Sequence, residues 1–437
     1  MLHSSLSSFI LLISISWCSV LCSPYDFLRS NYGKDPDERG TPCELIQSRG
    51  FICENHWIRT DDDYILSVQR IINPVLRQRG KTPIKPYVLQ HGLFGSAAHF
   101  LTNAPGGFAD DWTAKSLDTK SLQDEGRNLA YLLANFNYDV WLPNSRGNKY
   151  STNHTTLNPN KFADKFWQFS FDQMIAYDAP AVINYILYKT NSTSLGWIGH
   201  SQGTTIMFGL LSEKPEYAAK VEPFIALAPV AHVTHIESPL RALASLRGLK
   251  DMFYLFPNRL TIPQELQNEM AEKCDRSKLR DACSIPLFLA CGYNPSQLNY
   301  TRLPVYITQG FAETSNWDLL HFAQNIVNKG FYKFDHGKAH NLYYHYSLKP
   351  PAYDLGAIKS KSIFLFTSLN DLLASPQDVQ TLRKSMEVKV VEYSVSDPSF
   401  NHMDFIWAKD VYHLLYKRVL KTMKKFDQSN QTQPNDF

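Results

Sequence analysis

The pentapeptide Gly199-His200-Ser201-Gln202-Gly203 stands at the end of the apolar run Leu195–Ile198 and just ahead of a helical run, Thr204–Leu211. A backbone that turns this sharply from a buried strand into a helix leaves no room for side chains at the flanking positions. Gly199 and Gly203 occupy them, and Ser201 is held at the apex. The local order strand, sharp turn, helix is that of a parallel sheet covered by helices, and it restricts what the remainder can be.

The remainder follows the same rhythm. Short apolar runs predict strands at Tyr64–Ile72, Tyr87–Gln90, Asp139–Leu142, Phe224–Leu227, Ser362–Thr367 and Val388–Tyr393. Helical periodicity predicts Ser121–Asn135, Phe171–Tyr188, Gln377–Ser385 and Phe405–Met423. The rhythm stops between His232 and His345, an aromatic-rich stretch, and then resumes. An insertion explains this better than two consecutive domains. The expected organisation is an α/β core formed by residues 23–231 and 346–426, interrupted by a cap or lid at 232–345. A polar segment before Asp63 and a flexible tail at 427–437 complete the chain.

A serine hydroxyl needs an oriented base before it can act as a nucleophile. In a sheet of this kind the acid and the histidine follow the serine in chain order. Asp371 lies just beyond the strand Ser362–Thr367, where a loop at the end of the sheet would deliver a carboxylate. His402 follows the strand Val388–Tyr393 on a loop containing Asp397, Pro398 and Asn401. The rivals are weaker: Asp378 falls in the following helix and reads as a cap, and His413 lies inside the last helix. A developing oxyanion needs two backbone donors. Gln202 supplies one, and His91-Gly92-Leu93, directly after Tyr87–Gln90, supplies the second from Leu93.

Residues 1–22 contain no Lys, Arg, Asp or Glu, and Phe9–Leu21 is almost wholly apolar. This is the length of a secretory signal segment and too short to span a bilayer. Export leaves five cysteines, so one thiol stays unpaired. Cys274 and Cys283 close a short loop in a charged segment, as a disulfide would in an oxidising compartment, and Cys43 and Cys53 offer a second pair at similar spacing. Neither pair has the spacing of a zinc site, and no metal or cofactor is expected. Sequons at Asn153, Asn191, Asn299 and Asn430 permit glycosylation. With 44 basic against 41 acidic side chains the net charge is only +3, without a basic run, which argues against a nucleic-acid partner. No later stretch has the length of a membrane span.

Taken together, these stretches resemble the acid lipase family, the group of gastric and lysosomal acid lipases. The resemblance rests on His91-Gly92-Leu93, Tyr138–Leu142 with Asn144–Asn148, Phe166–Asp172, Gly199–Thr205 and His402–Trp407. It implies an α/β-hydrolase fold with a mostly parallel sheet and an inserted cap. It also implies a Ser201, His402, Asp371 triad acting on triacylglycerols or steryl esters at a lipid–water interface, and activity in acid, in the lysosome or outside the cell. Cys274–Cys283 becomes the cap disulfide and Cys291 the free thiol. The chain departs from the family at Gln309–Ser315, Gln-Gly-Phe-Ala-Glu-Thr-Ser, where relatives carry His-x-Pro-Ala-Gly-Thr-Ser. Phe253, Tyr254, Phe256, Tyr306, Phe311, Trp317 and Phe322 would line an apolar tunnel over Ser201, although cap packing alone accounts for most of them. The competing readings are a short-chain carboxylesterase of the same fold and a non-catalytic lipid-binding relative.

Overall fold

The computed structural model describes residues 35–244, 248–275 and 279–431. The expected signal segment, residues 1–22, lies outside them. Among the described residues eleven strands occur in chain order: β1 (Ile52–Arg59), β2 (Tyr64–Ile72), β3 (Pro86–Gln90), β4 (Asp139–Pro143), β5 (Asn153–His154), β6 (Leu195–His200), β7 (Val221–Leu227), β8 (Arg259–Leu260), β9 (Thr314–Ser315), β10 (Ile363–Thr367) and β11 (Val390–Ser394). Nine of them build one sheet in the order β1-β2-β4-β3-β6-β7-β10-β11, with β5 paired to β2. From β4 to β11 every pairing is parallel; β1 and β2 form an antiparallel edge.

Successive residues of a strand face opposite sides, so each central strand feeds two cores. Tyr87 and Leu89 of β3 join Leu129–Ala134 and the C-terminal aromatics Tyr412 and Tyr416. Val88, between them, joins Trp141, Trp197 and the helices Ala179–Thr190 and Gln202–Glu213. Because both faces are covered, β3, β4 and β6 are buried at every position. That is why their sequences are continuous apolar runs rather than alternating ones.

Between β7 and β10 the chain leaves the sheet. It runs through the helices Leu240–Ala244, Leu249–Leu255, Gln264–Asp275, Arg280–Cys291, Leu303–Gly310, Asn316–Asn328 and Lys338–His345, with the short β8–β9 pair among them. The helix Leu303–Gly310 is buried along its whole length, and Tyr306 stacks on Trp407 of the core at 4.6 Å.

Several expected helices are interrupted. Ser121–Asn135 is two pieces, Leu122–Glu125 and Leu129–Asn135, because Asn128 turns inward to donate to the carbonyls of Ala104 and Gly106. Phe171–Tyr188 continues to Thr190 through a wide turn at Met174–Asp178. Phe405–Met423 is a short helix, Asp404–Trp407, then a wide turn at Tyr412–Tyr416, then the helix Lys417–Gln431. The first residues of the expected tail are therefore helical. Asp427 is buried and accepts hydrogen bonds from Tyr87 and Tyr138, so it is anchored to the sheet; residues 432–437 lie outside the described ones. No helix among the described residues is long and apolar enough to cross a membrane.

Candidate active site

Ser201 closes β6 with φ 54° and ψ −120°, and the helix Gln202–Glu213 begins at the next residue. This backbone is unusual for a residue with a β-carbon, and its surroundings hold it there. The Ser201 N–H donates to Leu227 O of β7 (3.1 Å), and its carbonyl accepts from the Thr204 N–H (2.8 Å) and hydroxyl (2.6 Å). The flanking glycines are required by contact. A β-carbon on Gly199 would stand 2.5 Å from Gly203 O, and one on Gly203 would stand 2.3 Å from Gln90 O.

Asp371 and His402 are brought together by their two loops. His402 Nδ1 lies 2.9 and 2.8 Å from the two carboxylate oxygens of Asp371, with both residues buried. Asp371 Oδ1 also accepts from the N–H groups of Leu373 (2.9 Å) and Ala374 (2.7 Å), which fixes the carboxylate. The Cys291 carbonyl, at the end of the helix Arg280–Cys291, accepts from both Leu372 N–H (3.4 Å) and His402 N–H (3.2 Å). One inserted helix thus ties the acid loop to the histidine loop. On the other side, the His402 carbonyl meets His200 Nε2 at 3.0 Å, and the two rings lie 5.0 Å apart. Burial holds His200 well below the ordinary imidazole range, so it is a neutral donor there. The residue before Ser201 therefore grips the backbone of His402.

His91-Gly92-Leu93 follows β3, the neighbour of β6, and Gly92 packs directly against Ser201. The Ser145 N–H donates to His91 Nε2 (3.0 Å), so the ring proton sits on Nδ1 and is donated to Gly92 O (2.8 Å). Burial pushes the His91 pKa down to about 4, which keeps this neutral form in place. Leu93 is the residue after this pinned turn, and Gln202 lies on the opposite side of Ser201 in sequence. The Gln202 side chain reaches the inserted segment, donating to Asp318.

The rival residues are occupied elsewhere. Asp378 sits in the first turn of the helix Pro376–Ser385, where its carboxylate accepts from His235, and His413 is exposed. Disulfides join Cys43–Cys53 and Cys274–Cys283, and Cys291 is a buried free thiol. Asn153 and Asn191 are exposed and Asn299 is half-buried.

The expected aromatic tunnel is largely packing. Tyr254, Trp317 and Phe334 form a stack, Trp317 Nε1 donates to Phe253 O, and Phe322 lies beside Phe171. Phe256 and Phe311 are exposed. The divergent segment is structural as well. Gln309 donates to the carbonyls of Asp37 and Gly40, and Ser315 caps the helix Asn316–Asn328.

Comparison with known proteins bears on the fold and the family. A family profile described as "alpha/beta hydrolase fold" matches residues 86–409, and one described as "partial alpha/beta-hydrolase lipase region" matches 43–104. The chain is 35% identical to gastric triacylglycerol lipase of Rattus norvegicus, over 89% of this chain and 93% of that one. It is 34% identical to lysosomal acid lipase/cholesteryl ester hydrolase of Homo sapiens, over 90% and 92%. Lipase member K of Homo sapiens is 34% identical over 96% and 99%. Among solved structures, a Sulfolobus solfataricus protein superposes with a TM-score of 0.56 at 12% identity, covering 86% of this chain and 94% of that one.

Proposed function

The chain belongs to the acid lipase family of α/β-hydrolases, and we propose that it hydrolyses carboxylic esters of lipids, triacylglycerols or steryl esters, through Ser201, His402 and Asp371. The observation that carries this reading is the buried Asp371–His402 pair, held beside the elbow by the grip of His200 on the His402 carbonyl.

In this mechanism His402 Nε2 takes the Ser201 proton as Oγ attacks the ester carbonyl. Asp371 keeps the other ring proton on Nδ1 and stabilises the imidazolium that forms. The N–H groups of Leu93 and Gln202 receive the oxyanion. Collapse of the tetrahedral adduct breaks the ester C–O bond, and His402 returns its proton to the departing alcohol. Water, activated by the same imidazole, then releases the fatty acid from Ser201. The chemistry draws on no metal or cofactor.

Residues 232–345 act as a cap on this site, a reading supported by the bonds of Asp318 to Gln202 and of the Ala312 N–H to Phe94 O. Two disulfides in a chain with such relatives suit the secretory pathway, with a lysosomal or extracellular destination. The substrate is met at a lipid–water interface.

Labelling with a fluorophosphonate, followed by peptide mapping, tests the nucleophile. Label on Ser201, lost in Ser201→Ala together with turnover, is expected; turnover of Ser201→Ala above about a tenth of wild type overturns the reading. Trioleoylglycerol and cholesteryl oleate assayed side by side decide the ester. Turnover confined to short acyl chains would make the protein a carboxylesterase.

A further inference from the structure

Asp318 lies in the first turn of the helix Asn316–Asn328, and none of it is exposed. Gln202 Nε2 donates to both of its carboxylate oxygens, at 2.8 and 2.6 Å. The Thr314 hydroxyl donates to Oδ2 at 3.0 Å, and the Phe171 N–H also donates to the carboxylate. The neighbouring charge that bears on it is negative, that of Asp172, which itself lies 3.8 Å from His321. Burial, assisted by Asp172, pushes the Asp318 pKa up to about 6.

Burying a carboxylate is costly unless strong partners satisfy it. Here the partners are an amide, a hydroxyl and a backbone N–H, with no guanidinium among them. For cap packing alone, an apolar side chain would serve as well. The location is what distinguishes Asp318: its main partner is the first residue of the helix that follows Ser201. The N–H groups of a helix's first turn have no partner within the helix and point out of its end, where an anion can use them. An oxyanion donor is effective only if its direction is fixed before the reaction.

We propose that Asp318 is a positioning residue: from the inserted segment it clamps the Gln202 side chain and thereby fixes the direction of the Gln202 N–H at the reacting carbonyl oxygen. This rests on the reading of Ser201 as nucleophile. The oxyanion site is then assembled from two parts of the chain, the elbow and the helix Asn316–Asn328, and the insertion contributes to rate as well as to substrate access.

The test uses the full secreted chain and a soluble ester, p-nitrophenyl butyrate. Asp318→Ala should lower kcat by about tenfold or more and leave KM within about twofold, because the lost interaction matters in the transition state. Gln202→Ala, which keeps the backbone N–H but removes the clamp, should cause the same loss. The double variant should be no worse than either single one, as for two residues acting through one contact. Asp318→Asn retains an acceptor for the amide and should recover kcat to within about threefold of wild type. If Asp318→Ala does not fold, Gln202→Ala and Asp318→Asn carry the test. A kcat of Gln202→Ala within about twofold of wild type, or losses that multiply in the double variant, overturns the proposal. Ser201→Ala separates the two readings: retained turnover there removes the nucleophile itself, whereas abolished turnover with an unaffected Gln202→Ala removes only the clamp.

Discussion

Gly92 lies so close to Ser201 that a β-carbon on it would stand 2.8 Å from Ser201 Cβ and 3.3 Å from Ser201 Oγ. The strand β3 thus delivers its following turn onto the residue at the end of β6, its neighbour in the sheet. Backbone N–H groups can surround an oxyanion beside Ser201 only if that turn carries no side chain.

Gly92→Ala is therefore expected to fold and to lose most of its turnover. The methyl group displaces either the serine or the Leu93 N–H, and loss of one oxyanion donor costs about a hundredfold or more in kcat. Steady-state kinetics with thermal unfolding as the control decides it. Turnover above about a tenth of wild type would mean that the turn is not part of the site.

His91 holds the same turn from behind. Its Nε2 accepts from Ser145 and its Nδ1–H donates to Gly92 O; its removal leaves the buried Ser145 N–H without that partner, while Gly92 O keeps the Gly95 N–H (3.0 Å). His91→Ala should destabilise the fold by about 1–3 kcal/mol, the cost of one such buried group left unsatisfied. It should also slow turnover at temperatures where the variant is folded. Urea unfolding of wild type and variant measures the first effect, and an unchanged midpoint would remove His91 from this role.

How far the sequence reveals this site depends on where each contact comes from. The elbow and the strands β3, β4 and β6 are legible because burial on both faces writes continuous apolar runs, and the glycines mark the turn. β1 is not legible. It is an edge strand whose only buried residue is Ile58, so Ile52–Arg59 reads as polar loop. Asp371 and His402 follow from chain order, but what ties their loops together is a carbonyl oxygen, that of Cys291, and backbone groups leave no mark on composition. Asp318 escapes notice because a carboxylate in the first turn of a helix ordinarily reads as complementing the helix dipole. Its burial against Gln202, 116 positions away, is a tertiary fact. Asp427 escapes for a similar reason: a polar C-terminal run gives no sign that Tyr87 of β3 and Tyr138, just before β4, bind it.

The cysteines give a prediction independent of catalysis. Cys291 is buried, and desolvation with Asp371 and Asp404 nearby raises its thiol pKa far above the ordinary range. Such a thiol is a poor nucleophile. Native protein should leave Cys291 unmodified by a thiol reagent such as dithionitrobenzoate over hours, and denatured protein should release it at once. Non-reducing peptide maps should show Cys43–Cys53 and Cys274–Cys283. Rapid native modification of Cys291, or a Cys283–Cys291 peptide, would contradict this pairing.

Asp404 contributes to how stability depends on pH. Its Oδ2 accepts from the Asn401 N–H (2.8 Å) and from Asn294 Nδ2 (2.7 Å), yet burial dominates and pushes its pKa up to about 7. An unfolded aspartate titrates near 3.9. Because the folded value is the higher one, the stabilising contribution is fully present below about pH 3.9. It is lost as pH rises through about 7, where the fold must hold a buried charge. The buried histidines act in the opposite sense: burial pushes the pKa of His91 and His336 down to about 4 and of His99 to about 3, so each costs stability as pH falls from about 6.5. A substitution at Asp404 isolates its own share. Both of these bonds go to Oδ2, so Asp404→Asn can place its amide oxygen there and its NH₂ where the protonated acid would carry its hydroxyl. The variant should match wild type at pH 4 and be more stable at pH 8, by an amount on the order of 2–4 kcal/mol for a shift of about three pKa units. Unfolding midpoints of the two proteins measured from pH 4 to 8 check this: the curves should meet in acid and separate through neutrality, and a constant offset would show that Asp404 does not titrate in this range.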